Sequence, residues 1–228
     1  MENSKQKVDG DMENVLVLCD DLWHPAEVIE KGLASWCDSP YGFDIVKAAK
    51  DILTPARLAR YRLVVCCKSN NVIASNTAPW FEPGVTEVGP EEFKAYIEAG
   101  GGFLAVHSGL AYTEDRCPDY VQLVGAAFRG HPPRCEVRLQ ARTVHPILDG
   151  VPDFCVRDEH YRMEMIAADA EVFLESRSEN GGTQPAGYTR MLGKGRLCAL
   201  TPGHTLDVWE NEHFRRLFSN AAAWCMGK

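Results

Sequence analysis

Histidines, acids and a few aromatics in this chain cluster at places where a fold can present them. His107 follows the apolar run Gly102-Phe103-Leu104-Ala105-Val106 and precedes Ser108-Gly109. That layout matches a nucleophile elbow, where a tight strand-to-helix turn lifts one side chain above a sheet. The central residue here is an imidazole rather than a serine or cysteine. His204 follows Thr201-Pro202-Gly203 after a second apolar run, with Asp207 near enough in sequence to orient it. Asp158-Glu159-His160-Tyr161 places two acids beside two rings, and consecutive acids are costly to bury without partners. Imidazole suits proton transfer because its ordinary pKa of about 6.5 lies near neutrality. His107, Glu159 and His204 are therefore the expected catalytic residues. Trp23 and Tyr161 offer ring faces for a bound ligand, and His24 and His131, each beside a proline, are further candidate binding residues. His145, in His145-Pro146-Ile147, reads instead as a structural turn residue.

A divalent metal is a second option at the same place. His24, His107, Glu159 and His204 form a plausible ligand set for a transition ion. They lie far apart in sequence and follow no short signature such as H-E-x-x-H. Ser108 as a hydrolase nucleophile is a third option, but it stands one position off the elbow centre.

These residues need a sheet to bring them together. Asn14 to Cys19, Leu63 to Cys67, Phe103 to Val106 and Arg196 to Leu200 are continuous apolar runs, as expected of strands buried on both faces. Phe43 to Val46 reads as another strand. Helices are expected over Ala26 to Cys37, from Pro90 to just before Gly100, over Asp119 to Val124, and over Glu212 to Cys225. In the last, Phe214, Leu217, Phe218, Ala221 and Trp224 share one face. Alternating strands and helices imply an α/β fold with a doubly wound, mostly parallel sheet, whose ligands sit beyond the strands' carboxyl ends. Between Arg134 and Arg196 the pattern changes to shorter, alternating strands (Cys135 to Leu139, Val172 to Glu175, Gly187 to Met191), an expected antiparallel extension. Residues 14–226 read as one domain and residues 1–13 as a polar tail. The long polar and aromatic stretch from Lys68 to Gly89 reads as a loop.

Composition narrows the partners. The 228 residues carry a formal net charge of -8, and no segment concentrates lysine and arginine. Nucleic acid and anionic membrane surfaces are poor candidates. No apolar run reaches the ~20 residues that span a bilayer, and the polar start does not read as a secretory signal. Nine cysteines, an odd number with no C-x-x-C pair, fit a reducing, cytoplasmic setting better than a disulfide framework. Exposed aromatics leave a homo-oligomer open.

Several motifs in order resemble the trehalose-utilization (ThuA-like) family. They are Gly101-Gly102-Phe103-Leu104-Ala105-Val106-His107, Phe128-Arg129-Gly130-His131-Pro132, His145-Pro146-Ile147-Leu148-Asp149-Gly150, Asp158-Glu159-His160-Tyr161, Gly193-Lys194-Gly195-Arg196, Gly203-His204-Thr205 and the C-terminal Trp224. Together they span Val15 to Trp224. The resemblance implies the class I glutamine amidotransferase-like, flavodoxin-like fold and a role in carbohydrate catabolism, with disaccharides such as trehalose as the expected substrate class. Where His160 stands the family usually has an aliphatic residue, so this position either loses packing or adds an imidazole near the site. Amidotransferases need a thiolate at the elbow. With His107 there, glutamine hydrolysis is not expected. The expected function is acid–base chemistry on a sugar or oxidised sugar by a hydrolase or isomerase. The alternative is a non-catalytic sugar-binding or regulatory module on the same fold.

Overall fold

The computed structural model describes residues 13–36, 38–47, 52–70, 81 and 86–228. Residues 1–12 of the expected tail, Cys37, expected to close the first helix, and most of the 68–89 loop lie outside the described residues, while Glu13 belongs to the first strand. In chain order the strands are β1 (Glu13–Cys19), β2 (Tyr41–Val46), β3 (Leu63–Cys67), β4 (Gly102–Val106), β5 (Ala126–Phe128), β6 (Cys135–Ala141), β7 (Phe154–Asp158), β8 (Met163–Met165), β9 (Glu171–Ser178), β10 (Gly182–Leu192) and β11 (Gly195–Leu200). The α-helices are α1 (Ala26–Ala34), α2 (Pro55–Leu58), α3 (Pro90–Glu98), α4 (Pro118–Val124), α5 (Leu206–Glu210) and α6 (Glu212–Cys225). Among the described residues, no helix is long and apolar enough to cross a membrane.

Nine strands form one sheet in the order β2-β1-β3-β4-β11-β10-β9-β6-β7, and β5 pairs with β8 in a small second sheet. The first five run parallel. The remaining four are joined by antiparallel pairs. The fold is thus the doubly wound α/β arrangement with an antiparallel extension. Pairwise reversals through β10, β9 and β6 leave β7 running in the direction of β11. The carboxyl ends of β1, β4, β11 and β7 therefore point the same way.

The continuous apolar runs are explained by burial on both faces. In β1, Val15, Val17 and Cys19 face one core, with α1, α5 and α6, while Leu16 and Leu18 face the other, with α2, α3 and α4. β3 alternates likewise, with Leu63, Val65 and Cys67 against Val64 and Cys66. Thiols in these strands pack as small hydrophobes. Burial pushes the pKa of Cys66 up to about 11 and that of Cys19 up to about 12, which keeps both protonated and inert. α3 begins on Pro90 with Glu91 and Glu92 in its first turn, and Glu92 accepts from the Gly89 N–H.

Where β4 ends, the chain must press against β3. A Cβ on Gly109 would lie 2.0 Å from the Cys66 carbonyl oxygen. Gly109→Ala is expected to cost about 1–3 kcal/mol through overpacking, lowering the midpoint by about 2–4 °C per kcal/mol in a chain of this size. Thermal unfolding followed by circular dichroism measures it, and an unchanged midpoint would contradict the close approach.

Candidate active site

Four strand ends deliver the site. After β4, a 3-10 turn over His107–Leu110 starts with His107 at φ +46°, a left-handed conformation that is unfavourable for a side chain with a Cβ. Two features hold it. The ring Nδ1–H donates to the Thr201 carbonyl of the next strand connection at 2.8 Å, and the ring stacks on Tyr161 at 4.3 Å between centroids. Since a carbonyl only accepts, Nε2 is the atom turned into the site. After β1, Asp20 is also left-handed (φ +80°) and its carboxylate accepts the Ala26 N–H at the start of α1. Asp21, buried, accepts from the Trp23 and Ser69 backbone N–H groups and from the His24 ring Nδ1–H at 2.8 Å. Burial opposes its charge, but the His24 hydrogen bond and the backbone donors prevail and hold Asp21 at a pKa of about 2.

Asp158 ends β7 and is 1% exposed. Its carboxylate accepts from the N–H groups of Gly203 at 2.7 Å, His204 at 3.2 Å and Glu159 at 2.9 Å. One buried acid thus locks the β7 end to the β11 end. Gly203 (φ +143°) permits the turn, and its carbonyl accepts from the Trp209 indole. The neighbouring Glu159 points the other way, toward the histidines. Its Oε2 lies 3.4 Å from His107 Nε2, 3.4 Å from His131 Nε2 and 3.3 Å from His204 Nδ1. His107 Nε2 and His204 Nδ1 are 3.2 Å apart. His24 completes the group, with its ring centroid 5.0 Å from that of His107 and 5.1 Å from that of His204. Donor atoms of His24, His107, Glu159 and His204 all fall within 4.8 Å of one another, so this quartet could hold a metal ion.

Electrostatics follow the geometry. Burial disfavours the Glu159 charge, but hydrogen bonds from His107 and His204 dominate and keep its carboxyl well below the ordinary range. Burial likewise disfavours a charged His107, yet the Glu159 hydrogen bond and the nearby Asp158 raise its pKa. His24 is lowered, chiefly by burial.

His24, Glu159 and His204 floor a cleft of about 1170 Å³, whose walls include Trp23, Tyr112, Phe128, His131 and Arg134, while the buried His107 lies beneath them and borders a small void. Trp23 is 65% exposed at the cleft. Tyr161 is 2% exposed, its ring lies between His107, Phe128 and His131, and its hydroxyl is 3.1 Å from His107 Nε2. It therefore offers no free face to a ligand, and its hydroxyl is the group beside the His107 ring. Ser108 is buried and lines a small void behind the histidines rather than the cleft.

Other expectations shift. Asp207 is exposed in the first turn of α5; Asp158 holds the His204 backbone, and the acid beside the His204 ring is Glu159. His160 turns away, its ring nitrogens 2.6 and 2.9 Å from the hydroxyls of Ser178 and Ser176 on β9. His145 is structural, accepting from the Ile147 N–H and stacking on Phe173. Sequence reasoning missed Asp21, Thr201 and the anchoring role of Asp158. The signal for Asp21 was present in Asp-x-x-His at a strand end, a spacing that lets an acid reach the following ring.

Comparison with known proteins agrees with this architecture. A family model described as trehalose utilisation (ThuA) matches residues 16–225. A ThuA-like protein of Parabacteroides merdae superposes with a TM-score of 0.73 at 18% identity, covering 95% of this chain and 91% of that one. A ThuA-like protein of Bacteroides uniformis gives 0.71 at 17% identity, with 98% and 95% covered. A β-galactosidase of Rahnella carries the same fold in 31% of its chain, at 15% identity and a TM-score of 0.63, over 94% of this chain. A search of curated protein sequences gave no significant match.

Proposed function

Because the chain belongs to the trehalose utilisation (ThuA) family, we propose that it is an enzyme of carbohydrate catabolism that carries out proton transfer on a sugar or oxidised sugar at the cleft floor. The observation that supports this most is the convergence of His107, His131 and His204 on one Glu159 oxygen at 3.3–3.4 Å. A sugar hydroxyl or carbonyl placed there meets donors and an acceptor within one hydrogen-bond length, as general acid–base chemistry requires. Glu159 supplies the negative charge, and His107 and His204 share the proton that moves. Tyr161 OH bonds at the same point. Elbow chemistry by a thiolate has no residue to perform it, since His107 fills that position.

The wall chemistry supports a carbohydrate. Sugars present apolar C–H faces beside polar edges, and an exposed indole such as Trp23 matches the former. Such sites are usually pockets with a few convergent polar groups among apolar walls. The other reading is a sugar-binding module without turnover, on a fold that hosts many functions.

The test is a thermal-shift screen of disaccharides, keto-sugars and aldonates, followed by NMR of each stabilising compound for turnover. A stabilising sugar that is converted supports the enzyme. A sugar that stabilises without conversion favours the binding module, and no stabilising sugar contradicts both. With the substrate in hand, Trp23→Ala is expected to weaken binding by about 0.5–1.5 kcal/mol, a rise in KM of about 2- to 12-fold, with kcat little changed.

A further inference from the structure

We propose that His24 Nε2, His107 Nε2, His204 Nδ1 and Glu159 Oε2 bind one divalent transition-metal ion, with an open face toward the cleft. This deepens the reading above, since it concerns the same site, but it rests on geometry of its own, and with an ion bound the proton transfer passes from His107 and His204 to their neighbours.

The first observation is spacing. Three edges of the donor set measure 3.2, 3.4 and 3.3 Å. Donors at about 2.1 Å from an ion stand about 3.0 Å apart in cis octahedral positions and about 3.4 Å apart at tetrahedral angles. The three edges fall between or beside these values, and the fourth donor stays within 4.8 Å.

The second observation is lone-pair direction. His24 Nδ1–H is committed to Asp21 at 2.8 Å and His107 Nδ1–H to Thr201 O at 2.8 Å. In its neutral form each ring therefore turns an Nε2 lone pair inward. A ring nitrogen fixed by a carboxylate or carbonyl on its far side is the usual outer arrangement of a metal-binding histidine.

The third is an orphan. His24 Nε2 is buried and has no hydrogen-bond partner. Buried polar atoms are nearly always satisfied, so one aimed at two further imidazoles and a carboxylate asks for a partner. A cation satisfies it and also separates the lone pairs that otherwise face one another. Three imidazoles and one carboxylate, with no thiolate, suit Mn(II), Fe(II), Co(II) or Zn(II) rather than the all-oxygen preference of Mg(II) and Ca(II). Such an ion would polarise a carbonyl or acidify a hydroxyl of a bound sugar. Tyr161 OH and His131, both beside the quartet but outside it, then remain to move the proton.

The test uses the tag-free chain stripped with a chelator, then titrated with Mn(II), Zn(II) and Co(II) by calorimetry, with Co(II) absorption in the visible. One equivalent per chain is expected, with d–d bands of nitrogen–oxygen ligation. His24→Ala should lower affinity by about 100-fold or more, and Asp21→Asn, which keeps all four ligands, by about 10- to 100-fold. Circular dichroism checks that both variants fold, and Asp21→Asn carries the test if His24→Ala does not. Uptake well below one equivalent, or affinity unchanged in the folded variants, overturns the site. Sugar turnover that persists in chelator with no bound ion also overturns it while leaving proton transfer by the residues themselves intact. Stoichiometric ion binding without any sugar binding does the reverse.

Discussion

Glu159→Gln should lower turnover by about a thousandfold, within the 10²–10⁴ range of a lost acid–base group, while the chain still folds. The carboxylate is the sole anion among the groups whose atoms converge at the cleft floor, with three imidazole nitrogens within 3.4 Å of one oxygen. Glutamine keeps its volume and removes its charge. If the residue accepts a proton, the amide cannot. If it helps hold an ion, the amide is a weaker and neutral ligand. Both routes lose rate, so the measurement tests the site rather than one mechanism. The side chain lies at the cleft and Asp158, which anchors the local backbone, is untouched, so the thermal midpoint should move by only a few degrees. The check is kcat on the sugar identified by screening, with the midpoint recorded beside it. Turnover kept within tenfold would remove Glu159 from the chemistry.

How much of this was legible in the sequence depends on how local each signal is. β1, β3, β4 and β11 could be read because burial on both faces leaves an uninterrupted apolar run, and β3 spans Leu63–Cys67 as expected. α6 was legible for a related reason, since Phe214, Leu217, Phe218 and Ala221 repeat at helical spacing and are all buried. Trp224 stays half-buried, with Arg196 over its ring at 5.2 Å. β5 and β8 escaped because three residues such as Met163-Glu164-Met165 carry no period; they are strands only because they pair with each other. β7 escaped similarly. Its alternation is clear once it lies beside β6, yet alone it resembles the loops around it.

The site shows the same division. His107 and His204 were visible because a turn after a buried strand is a local pattern. Glu159 was the expected catalytic acid, but the anchoring role of its neighbour Asp158 was not visible. Two adjacent acids look equivalent in sequence, but alternate residues of an extended chain point to opposite sides. One therefore enters the cleft and the other goes beneath the β11 turn. The association of His24 with the rest depends on sheet order, which brings β1 and β4 to either side of β3, and no spacing along the chain encodes that.

Asp158→Ala is the substitution with the largest expected effect on stability, and the buried position of this acid is the reason. Its two oxygens accept three backbone N–H groups, from Glu159, Gly203 and His204. Gly203 N–H is buried and loses its partner outright, and each such orphan costs about 1–3 kcal/mol. The other two bonds, at about 0.5–1.5 kcal/mol each, bring the total to about 2–6 kcal/mol, with a midpoint drop of about 2–4 °C for each of these. Asp158→Asn keeps one acceptor oxygen and should recover part of the loss. The activity consequence is separate. Asp158 does not line the cleft but holds the backbone of two residues that do, so it is a positioning residue, and its loss frees the two turns that place Glu159 and His204. A displacement near 1 Å is worth about 10² in rate. The decisive readout is therefore kcat measured well below the lowered midpoint, where the variant is still folded. A fall in kcat of about 100-fold in Asp158→Ala, with KM nearly unchanged and partial rescue in Asp158→Asn, is expected. Full kcat at that temperature would mean that the β7 and β11 ends hold Glu159 and His204 in place without the buried acid between them.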